Sequence, residues 1–223
     1  MRQVMNARTG GLLGKEIKYF DATKSATALT APTDAAGGEV DPATIDCLNG
    51  VAQGNGPTNR IGRKFTMKSI LIQGAIHIAA QTNQTALDEA PVVYIALVLD
   101  TQTNGVTLNS EDVFTNPVGN GTLAVAPLRN MSNTGRFKVL KSLTMRCESV
   151  GSMWDGTNIE QEGASYPFKI SCKLGNMHVN WTTASTTGAI AGIIDNSLHV
   201  IAYCSNTSYA PNIVYNSRLR FTG

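Results

Sequence analysis

Between Gly54 and Ala80 the chain reads GNGPTNRIGRKFTMKSILIQGAIHIAA, and it brings Arg60, Arg63, Lys64 and Lys68 together with no acid among them. Guanidinium and ammonium groups so placed grip phosphate by charge and hydrogen bonding, and they break no bond in it. A second basic run, Arg136, Lys138, Lys141 and Arg146, is also free of acids. The acids gather elsewhere, at Asp34, Glu39, Asp41 and Asp46 and again at Asp155, Glu160 and Glu162. Clustered bases point to a polyanion partner. The competing reading is a solvated charged face, or salt bridges to a neighbouring subunit.

Residues that could do catalysis are sparse. His77, His178 and His199 each sit inside an apolar strand pattern, with no His or Glu at ligand spacing. Surface or hydrogen-bonded histidines are expected, and no metal site. Neither a G-x-S-x-G elbow, a P-loop nor a G-x-G-x-x-G turn opening a helix occurs, so no cofactor is expected. Asp100 closes an apolar strand, where a local Asx turn with Thr101–Asn104 is the expected role. Nothing brings Glu148 and Asp155 together as an acid–base pair. Cys47, Cys147, Cys172 and Cys204 form no CxxC pair, and Cys172 and Cys204 are expected as buried free thiols. The reading is not an enzyme.

Composition narrows the class. In 223 residues the hydrophobic share is 42%, enough for a real core, and the charged share is 15%, against about 25% in a typical domain. A polar, weakly charged surface suits close contact with other proteins, because little charge must be desolvated. Met1–Gly14 has no continuous apolar core, so no signal peptide is expected. No run reaches the roughly 18 apolar residues that cross a bilayer, so no membrane partner is expected either. The N-x-Ser/Thr matches at Asn83, Asn120, Asn130, Asn180 and Asn206 then read as chance.

These side chains need a scaffold, and the pattern is β throughout. Ile70, Ile72, Ile76 and Ile78 alternate along one strand. VVYIALVLD, residues 92–100, is apolar on both faces, which puts it centrally in a sandwich. Further strands are expected over 135–141, 142–149, 167–175, 177–183, 197–205 and 213–222. In the fifth, Phe168, Ile170, Cys172 and Leu174 point inward and Lys169, Ser171 and Lys173 outward. Two long loops intervene, 101–134, with a short helix from Ser110, and 150–165. Eight strands in two packed sheets predict an all-β single jelly-roll sandwich over 51–223. Residues 1–50, with their Gly and Ser/Thr/Ala-rich stretches, are expected as an N-terminal arm that is partly extended.

Several of these features occur in a fixed order. A Gly/Asn turn leads into Arg60-Ile61-Gly62-Arg63-Lys64 and Lys68-Ser69-Ile70. An apolar strand ends in Asp100 and runs on into Thr101-Gln102-Thr103-Asn104-Gly105. Arg136–Lys141 reads RFKVLK, Asn196-Ser197-Leu198 opens another apolar strand, and Arg218-Leu219-Arg220-Phe221 closes the chain. Over about residues 50–223 this resembles the capsid proteins of small circular, Rep-encoding single-stranded DNA viruses, whose shells are similar to those of geminiviruses and satellite tobacco necrosis virus.

The resemblance implies a viral jelly roll with strands lettered B to I, and a self-assembling icosahedral T=1 shell, in the simplest case of about sixty copies. It implies a single-stranded DNA genome bound without sequence preference, and a host receptor that the sequence does not name. The virion, and the host nucleus during assembly, would be its places. It also implies a basic inner arm, which adds Arg2, Arg8, Lys15 and Lys18 to the four bases above as candidate DNA contacts. That arm is poor here: residues 1–24 hold Arg2, Arg8, Lys15, Lys18 and Lys24 against Glu16 and Asp21. Either a basic segment lies upstream or the folded domain supplies the charge. At +2 per chain, sixty copies carry about 120 charges (2 × 60), against a thousand or more phosphates in a kilobase-scale genome. Trp154, Met153 and Phe114, in the two long loops, are the candidate subunit-interface anchors. The alternative of another class, a carbohydrate-binding lectin or fibre-head jelly roll, asks for a cluster of aromatics that a 6% aromatic content does not offer.

Overall fold

The computed structural model describes residues 16–29, 44–84, 90–115, 128–148, 150–154, 159–183, 185–205 and 210–223, and all structural statements concern these. The strands in chain order are β1 (Lys18–Ala28), β2 (Thr44–Cys47), β3 (Lys64–Ile78), β4 (Gln81–Gln84) and β5 (Val92–Asp100). A short helix, α1 (Ser110–Val113), leads to β6 (Phe114–Thr115) and β7 (Leu128–Arg129). There follow β8 (Phe137–Arg146), β9 (Val150–Trp154), β10 (Ile159–Glu162), β11 (Ala164–Asn180), β12 (Ser197–Cys204) and β13 (Asn212–Thr222).

Eight of these strands make two four-stranded sheets, β1-β13-β3-β11 and β2-β12-β5-β8. The pairs β1·β13, β2·β12, β3·β11 and β5·β8 are all antiparallel and nested, first with last and inward to the middle. A long hairpin with that nesting, rolled so that successive ribbons alternate between sheets, is a jelly roll. Lettered B to I, the sheets read B-I-D-G and C-H-E-F. The remaining strands are short. The β4·β10 ladder, flanked by β9, continues the β3·β11 ribbon past Ile78, and β6 pairs with β7.

Two expectations about the strands change. The basic turn at residues 54–63 leads into the third strand, D, and not the first. Strands B and C lie in the stretch expected as an arm, where Lys18–Ala28 pairs along β13 and Thr44–Cys47 along β12. KYFDATKSATA hides its nature because β1 is an edge strand with few apolar residues; ladder hydrogen bonds to β13 hold it more than burial does. The strands expected over 135–141 and 142–149 are one strand, β8, with a bulge opposite Leu97–Val98. Those expected over 167–175 and 177–183 are likewise one, β11. Gly175 and Asn176 take φ of +57° and +63°, and the register shifts between Lys173 and Met177 without the strand ending.

The core lies between the sheets. Phe65, Ile70 and Ile72 from β3 face Ile95 and Leu97 from β5, all essentially buried. Gly74 lets β13 lie close to β3: a Cβ there would stand 2.2 Å from the Val214 carbonyl. A second apolar cluster covers the far face of the other sheet. Leu108, Val113 and Phe114 pack on Tyr94, Val98 and Tyr203, which is why β5 is apolar on both faces.

Candidate nucleic-acid interface

The bases expected to meet phosphate fall into two groups. Arg60 is fully buried. Its Nε donates to the Val51 carbonyl at 3.1 Å, and its two terminal nitrogens donate to the carbonyls of Gly62 and Ser185. The guanidinium lies over the Trp181 ring, 4.3 Å from its centre. Lys18 is buried too, its Nζ donating to the carbonyls of Gly56 and Asn59 at 3.1 and 3.2 Å. Both side chains stitch the 48–63 loop to its neighbours and present no surface to a ligand, which corrects the expectation for each. Arg63 is exposed and bonds Thr183 Oγ1 at 3.3 Å. Arg2, Arg8 and Lys15 lie outside the described residues.

Lys64 and Lys68 do reach a surface, and it is larger than the sequence suggested. They stand on the outward positions of β3, in the middle of the B-I-D-G sheet. Pairing register sets their neighbours. One row across the sheet runs Lys173, Ser69, Arg220, Tyr19; the next runs Ser171, Leu71, Arg218, Asp21; the third runs Lys169, Gln73, Asn216, Thr23. Adjacent strands lie about 4.8 Å apart and successive rows about 7 Å apart. The face thus carries Lys64, Lys68, Lys169, Lys173, Arg218 and Arg220, with Lys141 at its rim. Asp21 is the one acid among the described residues in these rows, and it is engaged: Arg218 donates to it from Nε and Nη2 at 2.8 and 2.7 Å. Lys68 donates to Asn176 Oδ1 at 2.7 Å. Bases so arranged give this face a positive field.

Sequence reasoning placed Lys169 and Lys173 outward without joining them to the site, and left Arg218 and Arg220 open to either nucleic-acid or subunit contact. The missing fact was register. Alternation shows which way a side chain points, and only pairing shows that strands far apart in sequence present their bases side by side.

Beneath the other sheet lies a buried polar group. Asp100 is fully buried and accepts from Gln102 N at 2.9 Å, the expected Asx turn. Arg136 adds a bidentate pair at 2.9 and 3.0 Å. Ser197 Oγ lies 2.7 Å from both Thr103 Oγ1 and His199 Nε2. Serine, histidine and aspartate are near one another, but Ser197 and His199 have no exposed surface and Asp100 is committed to Arg136. His178 is exposed and bonds Thr66 Oγ1 at 2.8 Å. Among the described residues no group of His, Cys, Asp and Glu could hold a metal, and no helix is long and apolar enough to cross a membrane.

Comparison with known proteins assigns the chain to a family. The model of the geminivirus coat protein/nuclear export factor BR1 family matches residues 23–222. The chain belongs to that family. No curated protein sequence matches it. Among solved structures, the 60-mer BFDV capsid protein is similar over 93% of this chain and 93% of its own length, at 9% identity and a TM-score of 0.32. The T13 IBDV viral particle is similar over 94% of this chain at 11% identity and a TM-score of 0.18, the match taking in 40% of that chain. The assignment rests on the family match and on the strand order.

For this coat protein the expected subunit anchors come out unevenly. Phe114 is buried within its own subunit, edge-on to Tyr94 with ring centres 5.7 Å apart. It pins the excursion after β5 to the C-H-E-F sheet and has almost no exposed surface to offer a neighbour. Trp154 and Met153 lie on β9, paired with Ile159 and Glu160 of β10, and their side chains lie outside the described residues.

Proposed function

We propose that the chain is the structural subunit of a closed icosahedral coat, in the simplest arrangement about sixty copies, and that its B-I-D-G sheet lines the interior against single-stranded DNA. The observation that carries this is the composition of that face: four bases in its three rows, with Lys64 and Lys68 beyond them, against one acid in those rows already paired with Arg218. A face of that kind repels its own copies and attracts phosphate, so it belongs where the genome is. The two sheets supply a rigid wedge. Each contact between wedges can be small, because every subunit makes several and closure adds them.

Charge supports the same arrangement. The whole chain is +2, but the three rows of the face alone are +3 (four bases less one acid). Sixty such faces supply about 180 charges (3 × 60), more than the net charge of sixty whole chains and still a fraction of a kilobase-scale genome's phosphates. The folded domain thus contributes more to packaging than its net charge indicates, and counter-ions or an arm supply the rest. Assembly in the host nucleus fits a family whose description pairs coat proteins with a nuclear export factor. A carbohydrate-binding role draws no support from a face of lysines and arginines.

The test is replacement of Lys169, Lys173 and Arg220 by Gln in the full chain. Shells that form normally but hold less nucleic acid, by their 260/280 nm absorbance ratio, support the reading. Unchanged nucleic-acid content overturns it. Failure to form shells makes the face a subunit interface instead.

A further inference from the structure

The basic face is not uniform. Beside the stretch lined by Lys141, Lys169, Lys173 and Arg220, a depression of about 720 Å³, lies a second depression of about 370 Å³ with a different lining: Asp21, Thr23, Leu71, Gln73, Asn216 and Arg218. Arg218 borders both. Leu71 supplies an apolar floor. Thr23 donates to Asn216 Oδ1 at 2.8 Å, which leaves the Asn216 Nδ2 amide without a partner among the described residues, and the Gln73 amide has none at either end.

Arg218 is prepared for something other than phosphate. One edge of its guanidinium is given to Asp21, which cancels its charge and fixes its plane, and the Tyr19 ring lies 5.1 Å from it. The carboxyl of Asp21 is held below the usual carboxylate range by that hydrogen bond, so the pair persists at neutral pH. A flat, neutralised guanidinium, an apolar floor and two open amides do little for a phosphate. They suit a nucleobase, whose face stacks on guanidinium planes and whose edge offers donors and acceptors to Asn and Gln.

We infer that this depression holds an unpaired nucleobase, with the adjoining phosphates on Lys169, Lys173 and Arg220, and that it makes the face selective for single-stranded over duplex nucleic acid. Paired bases are stacked inside a duplex and cannot enter without being unstacked. The inference rests on the reading that this face meets nucleic acid, and the experiment separates the two.

Fluorescence anisotropy of the full chain is measured against a single-stranded oligothymidylate, an abasic deoxyribose-phosphate chain of equal length, a duplex and heparin. The oligothymidylate should bind about 10-fold or more tighter than the abasic chain, the gain of stacking one base. Q73A/N216A should bring it down to the abasic level while abasic binding stays the same, which also shows that the sheet is folded. N216D, which keeps the acceptor for Thr23, should lose the same preference. Equal affinity for chains with and without bases overturns the inference while leaving the face a phosphate binder. Heparin or duplex binding as tightly as oligothymidylate also overturns it. Binding to none of the probes overturns the nucleic-acid reading of the face itself.

Discussion

The Arg60 guanidinium lies 4.3 Å from the centre of the Trp181 ring and donates to three backbone carbonyls, with no exposed surface. It joins the loop before β3 to the loop after β11, a part the sequence assigned to phosphate binding. Replacing Arg60 by Gln should therefore cost about 3 kcal/mol or more, because buried carbonyls lose their donors. Lys at the same position should also be poor, since it has no planar fork. Urea unfolding of the variants checks this. A stable variant with weakened DNA binding would restore the original reading.

The exposed bases should behave in the opposite way. Gln in place of Lys169, Lys173 and Arg220 removes three phosphate contacts and leaves the core intact. The slope of log affinity for single-stranded DNA against log salt should fall by about 2, at roughly 0.7 per contact. Urea midpoints should not move. An unchanged slope would mean that phosphate binds elsewhere.

Phe114 tests the second apolar cluster. Phe114→Ala should destabilise the subunit by about 3 to 5 kcal/mol through the cavity left against Tyr94. Denaturation of the variant checks this against an interface role, which would spare subunit stability and abolish assembly.

Asp100 is buried and serves two elements, the turn at Gln102 and the Arg136 guanidinium. Asp100→Ala should cost about 2 to 4 kcal/mol, since both lose their acceptor. Asp100→Asn, which can still accept from Gln102, should cost less. Unfolding curves for the two variants give the comparison.

His199 gives the subunit a pH dependence. Burial pushes its ring from 6.5 down to about 4, against the opposing pull of Asp100 and Asp46, and its Nδ1 has no hydrogen-bond partner among the described residues. The folded state holds the neutral ring, and the unfolded chain takes up a proton at higher pH. This contribution is complete above pH 6.5 and is lost as pH falls toward 4, by about 3 kcal/mol in all. His199→Gln should flatten the stability profile across that window. An unchanged profile would assign the dependence to other groups.

The sequence carried the sandwich because its central strands alternate or are wholly apolar, as at Ile70–Ile78 and Val92–Asp100. The helix at Ser110 and the Asx turn at Asp100 were legible because their determinants lie within a few residues. The site was only half legible. Arg60 looks like Arg63 in sequence; what buries it includes the Ser185 carbonyl, 125 residues away. Lys173 and Arg220 flank Ser69 only because β3 lies between β11 and β13. Of strand β1 only the start was legible, within the strand-like Glu16–Phe20; the rest is a polar edge strand with no alternation strong enough to read.

Electron cryomicroscopy of particles assembled from the full chain with single-stranded DNA tests the central claim most directly. The expected result is a closed shell whose B-I-D-G sheets face inward, with nucleic-acid density against Lys169, Lys173 and Arg220. A protein that stays at subunit mass, or a shell that turns this face outward and leaves it bare of nucleic acid, would contradict the account.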